Sequence, residues 1–432
     1  MRRLLAVAAL SLRSAVRSKV LLALAVLLAL AVVAIPLTVE GDGTLEGDVE
    51  ILLRYTLGAV NVILSLAAVW SGCGTIASEI QDRQITMVTT KPVRRIEIWL
   101  GKWLGLVALN AVLVAFAGAL ALALLQYRVR GDGRSADDVR RLRDEILVAR
   151  AELRPEPPAA AAPRAPGGGP DIGRRQEMIV PPHGRREWTF RLPARRRDGP
   201  GALQFVFSKS RVDLEAVRGR WVFSGGPGPA VTVEGRYAPQ AVQRVPIPPD
   251  ALEGEVLRAA YENAEEGDLS ILFDPDGGLM ALAPTGGFAL NVLRALLILL
   301  GRLALYSAIG LAAGTLFSLP VASFAAVTAA LLLHLTGHIH AMAQRTRYLD
   351  ETRPPTAARV AAERFYAVFY RALDLAVRPL EREDVLARVS TGREIRWRAV
   401  AAAAGADVLL YGGLLALAGA GVLRRRELGR PA

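Results

Sequence analysis

The sequence predicts an α-helical integral membrane bundle of six transmembrane helices, with a β-rich, sandwich-like extracytoplasmic domain inserted between helices 3 and 4. The first observation is a set of long apolar runs. Residues 20–39, for example, carry no charge, and such a run in a helix covers about 30 Å, the thickness of a bilayer's hydrocarbon core. The second is the clustering of basic residues at the ends of these runs, and the third is a long polar stretch with strand-like patterns. These features exclude an ordinary soluble globular protein.

Six runs are long and apolar enough to span the membrane: residues 20–39, 50–73, 98–127, 288–317, 321–343 and 400–423. A cleavable signal peptide is the alternative interpretation of the first run, but its apolar region would be roughly 7–15 residues long and would end in a small-residue cleavage site. The observed run is longer and no Ala-x-Ala site follows it, so we expect a retained helix. The predicted membrane segments are therefore 20–127 (helices 1–3), 288–343 (helices 4 and 5) and 398–432 (helix 6 with a basic tail).

The net charge of +12 indicates membrane topology rather than a nucleic-acid partner. Residues 1–19 carry five basic side chains and no acidic one, whereas residues 127–288 hold 24 basic and 23 acidic side chains. Basic residues also lie in the loop 83–102 and at Arg424, Arg425 and Arg426. Lys and Arg accumulate on the cytoplasmic side of membrane proteins. We therefore expect this chain to lie in the inner membrane, with both of its termini in the cytoplasm. The single cysteine, Cys73, excludes an internal disulfide.

The polar insert divides into two predicted parts. In residues 128–184 we expect a charged amphipathic helix over 135–153 and then a Pro/Ala/Gly linker over 155–170, whose composition cannot pack a core. In residues 185–287 short β-rich runs alternate with Gly-Gly, Pro-Gly and Asp-Gly turns, which favours an antiparallel sandwich. Val256–Asn263 fits a strand or a helix, and the strand is favoured.

The second outer loop, residues 344–397, is predicted to be helical. Phe365, Tyr366, Phe369 and Tyr370 recur at helical spacing. Aromatic residues in this arrangement suit a helix that lies at the membrane interface, and a helix packed on the sandwich is the alternative.

Three histidines and two intramembrane charges are the other candidate site residues. His334 and His338 share a helical face at i and i+4 and are weak candidates for metal ligands, because no carboxylate or cysteine is close in sequence and His340 points elsewhere. Hydrogen-bonded or interfacial histidines are the simpler interpretation. Arg302 and Asp407 lie deep in spans four and six, where an isolated charge is costly. We therefore expect them to form an ion pair, with a substrate pathway as the alternative.

Residues 75–102, between spans two and three, are the segment with a functional pattern. Residues 78–83 are polar and helix-forming, Pro92 imposes a break, and residues 96–99 start an apolar helix. A mixed-charge helix and turn held close to the cytoplasmic face is suited to docking a soluble partner. A solvated loop with positive-inside charges is the alternative on composition alone.

These residues resemble the permease subunits of ATP-binding-cassette exporters of the type-two class, in particular the branch grouped with gliding-motility and copper-enzyme-maturation permeases. The residues that carry the resemblance are Glu79, Ile85, Pro92, Val93, Arg95, Gly101 and Lys102. Gln84 departs from the family, which usually has Gly or Thr there. Residues 1–19 also resemble the family's amphipathic elbow helix, and residues 423–427 its usual ending. The resemblance covers the membrane part and not the β-rich insert.

The resemblance implies a permease that couples ATP hydrolysis by a separate ATPase subunit to export of an unknown substrate. It implies ATPase coupling through Glu79, Pro92, Arg95 and Lys102, to which the mixed charge of the segment adds Arg83. It also implies a second permease copy or a related permease beside this chain, among membrane lipids. The chain itself has no G-x-x-x-x-G-K-[ST] motif, so we expect no enzyme activity and no cofactor. A membrane-anchored scaffold or sensor, whose β domain binds a ligand or partner, is the main alternative. A membrane peptidase would need intramembrane His/Glu or Ser/Lys motifs that the sequence lacks.

Overall fold

Two compact units make up the protein in the computed structural model. One is a helical unit comprising Met1–Arg134, Val292–Ser390 and Ile395–Ala432, and the other is a β unit comprising Ser135–Asn291 with Thr391–Glu394. The structure describes residues 2–17, 19–38, 45–81, 94–130, 142, 147–156, 178–194, 199–210, 213, 215–226, 228–274, 278–344, 357–380 and 384–425.

The helical unit is built from long apolar helices and a few short ones. Before the β unit come α1 (Arg2–Arg17), α2 (Val20–Thr38), α3 (Leu45–Gln81) and α4 (Arg95–Val129). After it come α5 (Phe288–Leu316), α6 (Leu319–His334), α7 (Thr336–Ala343) and α8 (Ala357–Val377). The chain continues through a 3-10 turn (Arg378–Leu380), α9 (Val385–Ser390), α10 (Trp397–Ala403), a π-helix (Ala404–Gly412) and α11 (Gly413–Arg425).

Four helices in the described part of the chain are long and apolar enough to cross a membrane: Gly47–Gln81, Arg95–Val129, Phe288–Leu316 and Trp397–Arg425. Two further pairs pass the same test only together. They are Arg2–Arg17 with Val20–Ile35, bent by 64°, and Leu319–His334 with Thr336–Ala343, bent by 58°. The number is therefore four, or six if each bent pair is one span, and the predicted six spans correspond to the upper value.

Helices α3 and α5 approach each other closely because glycines face each other at their contact. A Cβ on Gly72 would lie 2.7 Å from the carbonyl oxygen of Ser307, and one on Gly310 would overlap the carbonyl oxygen of Val69. Any larger residue at either position would therefore push the two backbones apart. Small residues at such contacts are characteristic of helices that associate in lipid, where close backbone packing takes over from the hydrophobic effect.

The β unit contains eleven strands among its described residues: β1 (Val148–Leu153), β2 (Ile179–Val180), β3 (Arg185–Arg191), β4 (Gly201–Phe205), β5 (Phe207–Lys209), β6 (Val217–Ser224), β7 (Val231–Tyr237), β8 (Gln243–Ile247), β9 (Val256–Asn263), β10 (Ile271–Phe273) and β11 (Leu279–Gly287). They form three antiparallel sheets with the orders β1-β11-β4-β8, β2-β10-β5 and β3-β9-β6-β7. All three sheets contribute to one core rich in aromatic side chains, including Phe205, Trp221 and Phe273. The favoured strand assignment of Val256–Asn263 is confirmed.

A short segment that follows α9, Thr391–Glu394, also belongs to the β unit. The amide of Arg150 in β1 donates to the carbonyl oxygen of Gly392, and the amide of Glu394 donates to the carbonyl oxygen of Arg150, both at 2.8 Å. Arg393 and Glu152 form an ion pair at 2.7 Å. Residues 391–394 therefore extend the sheet as a parallel edge, which the sequence pattern did not indicate.

The predicted helix over residues 135–153 is wrong at its C-terminal end. Val148–Leu153 is strand β1, and it pairs antiparallel with β11. Helix propensity determines local structure only weakly, and strand pairing can override it. Here β11 forms backbone hydrogen bonds with one edge of β1, and residues 392–394 form them with the other edge. The β region consequently begins before residue 185, the predicted boundary. Residues 157–177, which include most of the predicted linker, lie outside the described residues.

The predicted fifth and sixth spans are less regular than expected. Span five is two helices that meet at Leu335 with a bend of 58°, rather than one continuous helix. Span six contains nine consecutive residues of π-helix around Asp407. In a π-helical stretch each backbone hydrogen bond spans five residues instead of four, and such stretches occur frequently at functional sites. Hydropathy is uninterrupted across both segments and therefore indicates neither departure.

Candidate functional site

The proposed ATPase-coupling element is described at its two ends. Helix α3 ends at Gln81 and helix α4 begins at Arg95. Residues 82–93 lie outside the described residues, and so do the predictions for Arg83 and Pro92. Glu79, Arg95 and Lys102 are described, and they lie in the last turn of α3 and the first two turns of α4.

The structure brings Glu79 and Lys102 together. Lys102 Nζ donates to Glu79 Oε1 at 2.5 Å, and the Lys102 side chain is 6% exposed while that of Glu79 is 28% exposed. A buried ammonium group is stable only when paired, since its desolvation otherwise costs several kcal/mol. The pair therefore joins the end of α3 to the start of α4, which are separated in sequence by residues 82–93. Glu79, which the sequence indicated as a docking contact, already has a partner inside the chain.

The start of α4 is fixed by a capping interaction and by two tryptophans. Glu97 Oε2 accepts a hydrogen bond from the backbone amide of Arg94 at 3.0 Å, which satisfies a donor at the helix N-terminus. Trp99 packs on Gly419 of α11 and Trp103 on Gly412 of the π-helix. Trp103 Nε1 also donates to the carbonyl oxygen of Ala304 in α5 at 2.8 Å. The first turns of α4 are thus in direct contact with the fourth and sixth predicted spans.

Helix α1 packs against the same turns of α4. A Cβ on Gly101 would lie 2.7 Å from Cβ of Val7, and one on Gly105 would lie 2.9 Å from the carbonyl oxygen of Ala8. Gly101, which the family resemblance assigned to the coupling element, therefore has a packing reason for its small size. It allows the backbone of α1 to lie directly on α4.

Arg94 and Arg95 place two positive charges at the start of α4. Arg94 is exposed and Arg95 is half-buried. Nη1 of Arg95 is buried and has no hydrogen-bond partner among the residues that the structure describes. A buried donor without a partner costs about 1–3 kcal/mol. A hydrogen-bond acceptor from outside the described residues would therefore stabilise the Arg95 guanidinium.

A second polar cluster joins spans four and six and the turn after α8. Arg302 Nε is 3.9 Å from Asp407 Oδ2, and Asp407, on the π-helix, is fully buried. Arg302 Nη2 also donates to the carbonyl oxygen of Leu380 at 2.6 Å. The structure thus brings the two predicted partners together, and the carbonyl oxygen after α8 is the closer acceptor for the guanidinium.

The histidines take part in separate hydrogen bonds. His334 Nδ1 lies 2.9 Å from Tyr306 Oη, and His340 Nδ1 lies 2.9 Å from Asp374 Oδ1. His338 is exposed. Because the chain bends between His334 and Thr336, the i, i+4 spacing of His334 and His338 does not lie on one regular helix. In the described ranges, no three His, Cys, Asp or Glu side chains are placed to hold a metal ion.

The solvent face of the β3-β9-β6-β7 sheet carries a row of alternating charges. Arg185 pairs with Glu262 at 3.0 Å, and Arg220 pairs with both Glu262 at 3.4 Å and Glu234 at 2.6 Å. The hydrogen bond to Glu234 raises the pKa of Arg220. On the core side of the same sheet, burial raises the pKa of Tyr237 to about 12 and also raises the pKa of Tyr261. Cross-strand pairs of this kind stabilise a sheet that has one face in water.

Comparison with known proteins gives no assignment for this arrangement. No family model matches the chain, no curated protein matches it, and no solved structure matches it.

Proposed function

We propose that this chain is the membrane-spanning permease subunit of an ATP-binding-cassette transporter in the inner membrane, with both termini in the cytoplasm. It couples ATP hydrolysis by a separate ATPase subunit to export of a substrate. Three things support the proposal: the apolar helices, the resemblance of residues 75–102 to the coupling segment of type-two permeases, and the Glu79–Lys102 ion pair.

The ion pair is the observation on which the proposal chiefly depends. A docking element transmits force only if its two ends move together, and the buried contact between Glu79 and Lys102 joins them at 2.5 Å. In this proposal Glu79 and Lys102 are positioning residues. The ATPase contacts the charged groups beyond them, Arg83, Arg94 and Arg95, whose charges steer docking and fix its register.

The contacts of α4 provide a route from the docking element into the bundle. When the ATPase dimer closes, it displaces the start of α4. Trp99 and Trp103 then transfer the displacement to α5 and to the last span, because both tryptophans pack on those helices. A bundle with two alternative packings responds to such a displacement by changing from one arrangement to the other. Two ATPase subunits present two docking surfaces, so a second permease copy completes the transporter.

The direct test is co-expression of the full-length chain with each ATP-binding-cassette ATPase of its source cell. We expect one of them to co-purify in detergent with the wild-type chain and to hydrolyse ATP in that complex. Charge reversal in Arg83→Glu with Arg94→Glu should abolish co-purification. The matched control is Arg424→Glu, an exposed arginine near the predicted cytoplasmic end of the last helix, which should leave the complex intact. The assignment is wrong if no ATPase co-purifies, or if the double variant binds it normally.

A charge swap tests whether Glu79 acts only by pairing with Lys102 or contacts the ATPase directly. Glu79→Gln alone leaves Lys102 buried without its partner, and removing one member of a buried pair costs about 3–5 kcal/mol. Glu79→Lys combined with Lys102→Glu should restore both folding yield and ATPase binding if the pair acts only within the chain. If the swap restores the folding yield but the swapped protein does not bind the ATPase, Glu79 contacts the ATPase directly.

A further inference from the structure

Helix α8 has one side packed against the helical unit and another whose side chains are exposed among the residues that the structure describes. On the packed side, Asp374 pairs with His340 of α7 at 2.9 Å. Near its C-terminal end, the carbonyl oxygen of Ala376 accepts a hydrogen bond from Tyr411 of the π-helix. Just beyond that end, the Leu380 carbonyl accepts one from Arg302 of α5. These three contacts hold α8 on the apolar helices α5 and α7 and the π-helix.

The opposite side of α8 carries an exposed apolar stripe. Phe365, Val368, Phe369 and Leu375 follow one another at intervals of three, one and six residues, which places them along one side of a helix. Val368 is 68% exposed and Leu375 is 76% exposed. The rings of Phe365 and Phe369 stack with their centroids 6.0 Å apart, so the stripe presents a continuous apolar surface.

The charges of α8 are segregated by sign between its two sides. The acidic side chains Glu363 and Asp374 are half-buried on the packed side, whereas Arg364 and Arg371 are exposed. The two arginines are two helical turns apart and border the apolar stripe. Among the described charged side chains of α8, those that are exposed beside the apolar stripe are both basic.

We propose that α8 is an interfacial helix that binds anionic phospholipid, with its apolar stripe at the boundary between headgroups and acyl chains and with Arg364 and Arg371 on the lipid phosphates. An apolar stripe edged by arginines is the pattern that matches this boundary. Each arginine contributes attraction to an anionic surface, and its aliphatic stem covers apolar surface below the charge.

A second copy of this chain fits the surface less well than lipid does. Two copies related by a two-fold axis would place the same patch against itself. The exposed charges of the patch are both basic, so the arginine rows of the two copies would face each other without acidic partners. The acidic residues of α8 lie on its packed side.

Lipid bound to α8 is connected to the polar cluster inside the bundle. The 3-10 turn after α8 supplies the carbonyl oxygen that holds Arg302, and Arg302 lies 3.9 Å from the buried Asp407. Movement of α8 relative to the bundle therefore changes how Arg302 is shared between Leu380 and Asp407. This gives membrane lipid a route to influence spans four and six.

The test places a fluorophore on the stripe of the full-length protein in vesicles. Cys73, the only cysteine of the chain, is replaced by Ala. Val368→Cys then carries the label, and Val242→Cys, an exposed valine of the β unit, is the matched control. We expect nitroxide-labelled phospholipid to quench the label at 368 and iodide to leave it protected, with the reverse at 242. Iodide quenching as strong at 368 as at 242 would overturn the proposal.

Headgroup preference tests the arginines. In wild-type α8, nitroxide-labelled phosphatidylglycerol should quench the label at 368 more strongly than nitroxide-labelled phosphatidylcholine. Arg364→Gln with Arg371→Gln should lower that preference by roughly tenfold. An unchanged preference would refute phosphate binding. Efficient cross-linking between two copies through Val368→Cys, with protection from both quenchers, would assign the stripe to a second copy. No ATPase takes part in these measurements, so their outcome is independent of the docking test.

Discussion

The two units of this protein differ in where their large apolar side chains lie: mostly in the interior of the β unit, and to a large extent on the surface of the helical unit. In the β unit the largest side chains, such as Trp221 and Phe273, are fully buried, and one sheet face carries alternating charges. In the helical unit many large side chains, including Trp70 and Phe324, are exposed, while glycines occupy the contact between α3 and α5. The first arrangement suits a body surrounded by water, in which burial of apolar area drives folding. The second suits a body surrounded by lipid, in which close backbone packing provides the stability.

The largest effect is expected in the aromatic core of the β unit. Trp221→Ala removes a fully buried side chain and should cost about 3–5 kcal/mol of free energy of unfolding. Hydrogen exchange of the full-length protein in detergent is the measurement, and the amides of β6 and β9 should exchange faster while those of α3 and α5 do not change. Val222→Ala, on the outer side of the same strand, is the control and should have a much smaller effect. Faster exchange throughout both units would show that the two units do not unfold separately.

A methyl group should destabilise the helical unit where two helices meet at glycine. The added Cβ of Gly310→Ala overlaps the carbonyl oxygen of Val69, and such overpacking typically costs about 1–3 kcal/mol. Gly58→Ala, also in an apolar helix but with nothing within 4 Å of the new Cβ, should gain up to about 1 kcal/mol from helix propensity. Thermal unfolding in detergent, followed by helical circular dichroism, compares them. Equal melting temperatures for the two variants would contradict close packing as the source of stability.

The smallest effect is an alkaline instability of the β unit. Burial raises the pKa of Tyr237 to about 12, whereas an unfolded tyrosine titrates near pH 10. Between these values the unfolded state loses a proton that the folded state keeps, so the free energy of unfolding falls as the pH rises. Tyr237→Phe should make that fall shallower. Near-ultraviolet circular dichroism across this pH range, with the helical signal as an internal control, checks it, and an identical pH profile for the variant would speak against the role of Tyr237.

The same contrast explains which elements could be predicted from the sequence. The apolar runs 98–127 and 288–317 correspond to α4 and α5 within a few residues, because a helix in lipid must satisfy its own backbone hydrogen bonds and needs only an apolar surface. The local pattern of Val256–Asn263 favours a strand, and this segment forms β9. The helical spacing of Phe365 and Phe369 likewise indicated α8. In each of these segments the local pattern and the environment favour the same structure.

Other features depend on partners that are distant in the sequence. Val148–Leu153 has a composition compatible with a helix, and it is a strand because β11 and residues 392–394 supply its hydrogen bonds. The bend at Leu335 and the π-helix around Asp407 interrupt segments whose hydropathy is uninterrupted.

The candidate sites divide in the same way. Hydropathy and charge determined that Arg302 and Asp407 lie inside apolar spans, where each needs a partner, and the family resemblance singled out Glu79 and Lys102. Only the tertiary structure decided that Glu79 is 2.5 Å from Lys102 and that Arg302 is shared between Asp407 and the Leu380 carbonyl. The position of each charge within an apolar span, which the sequence shows, indicates that its desolvation is costly. Which group compensates that cost is decided by the packing of helices that are far apart along the chain.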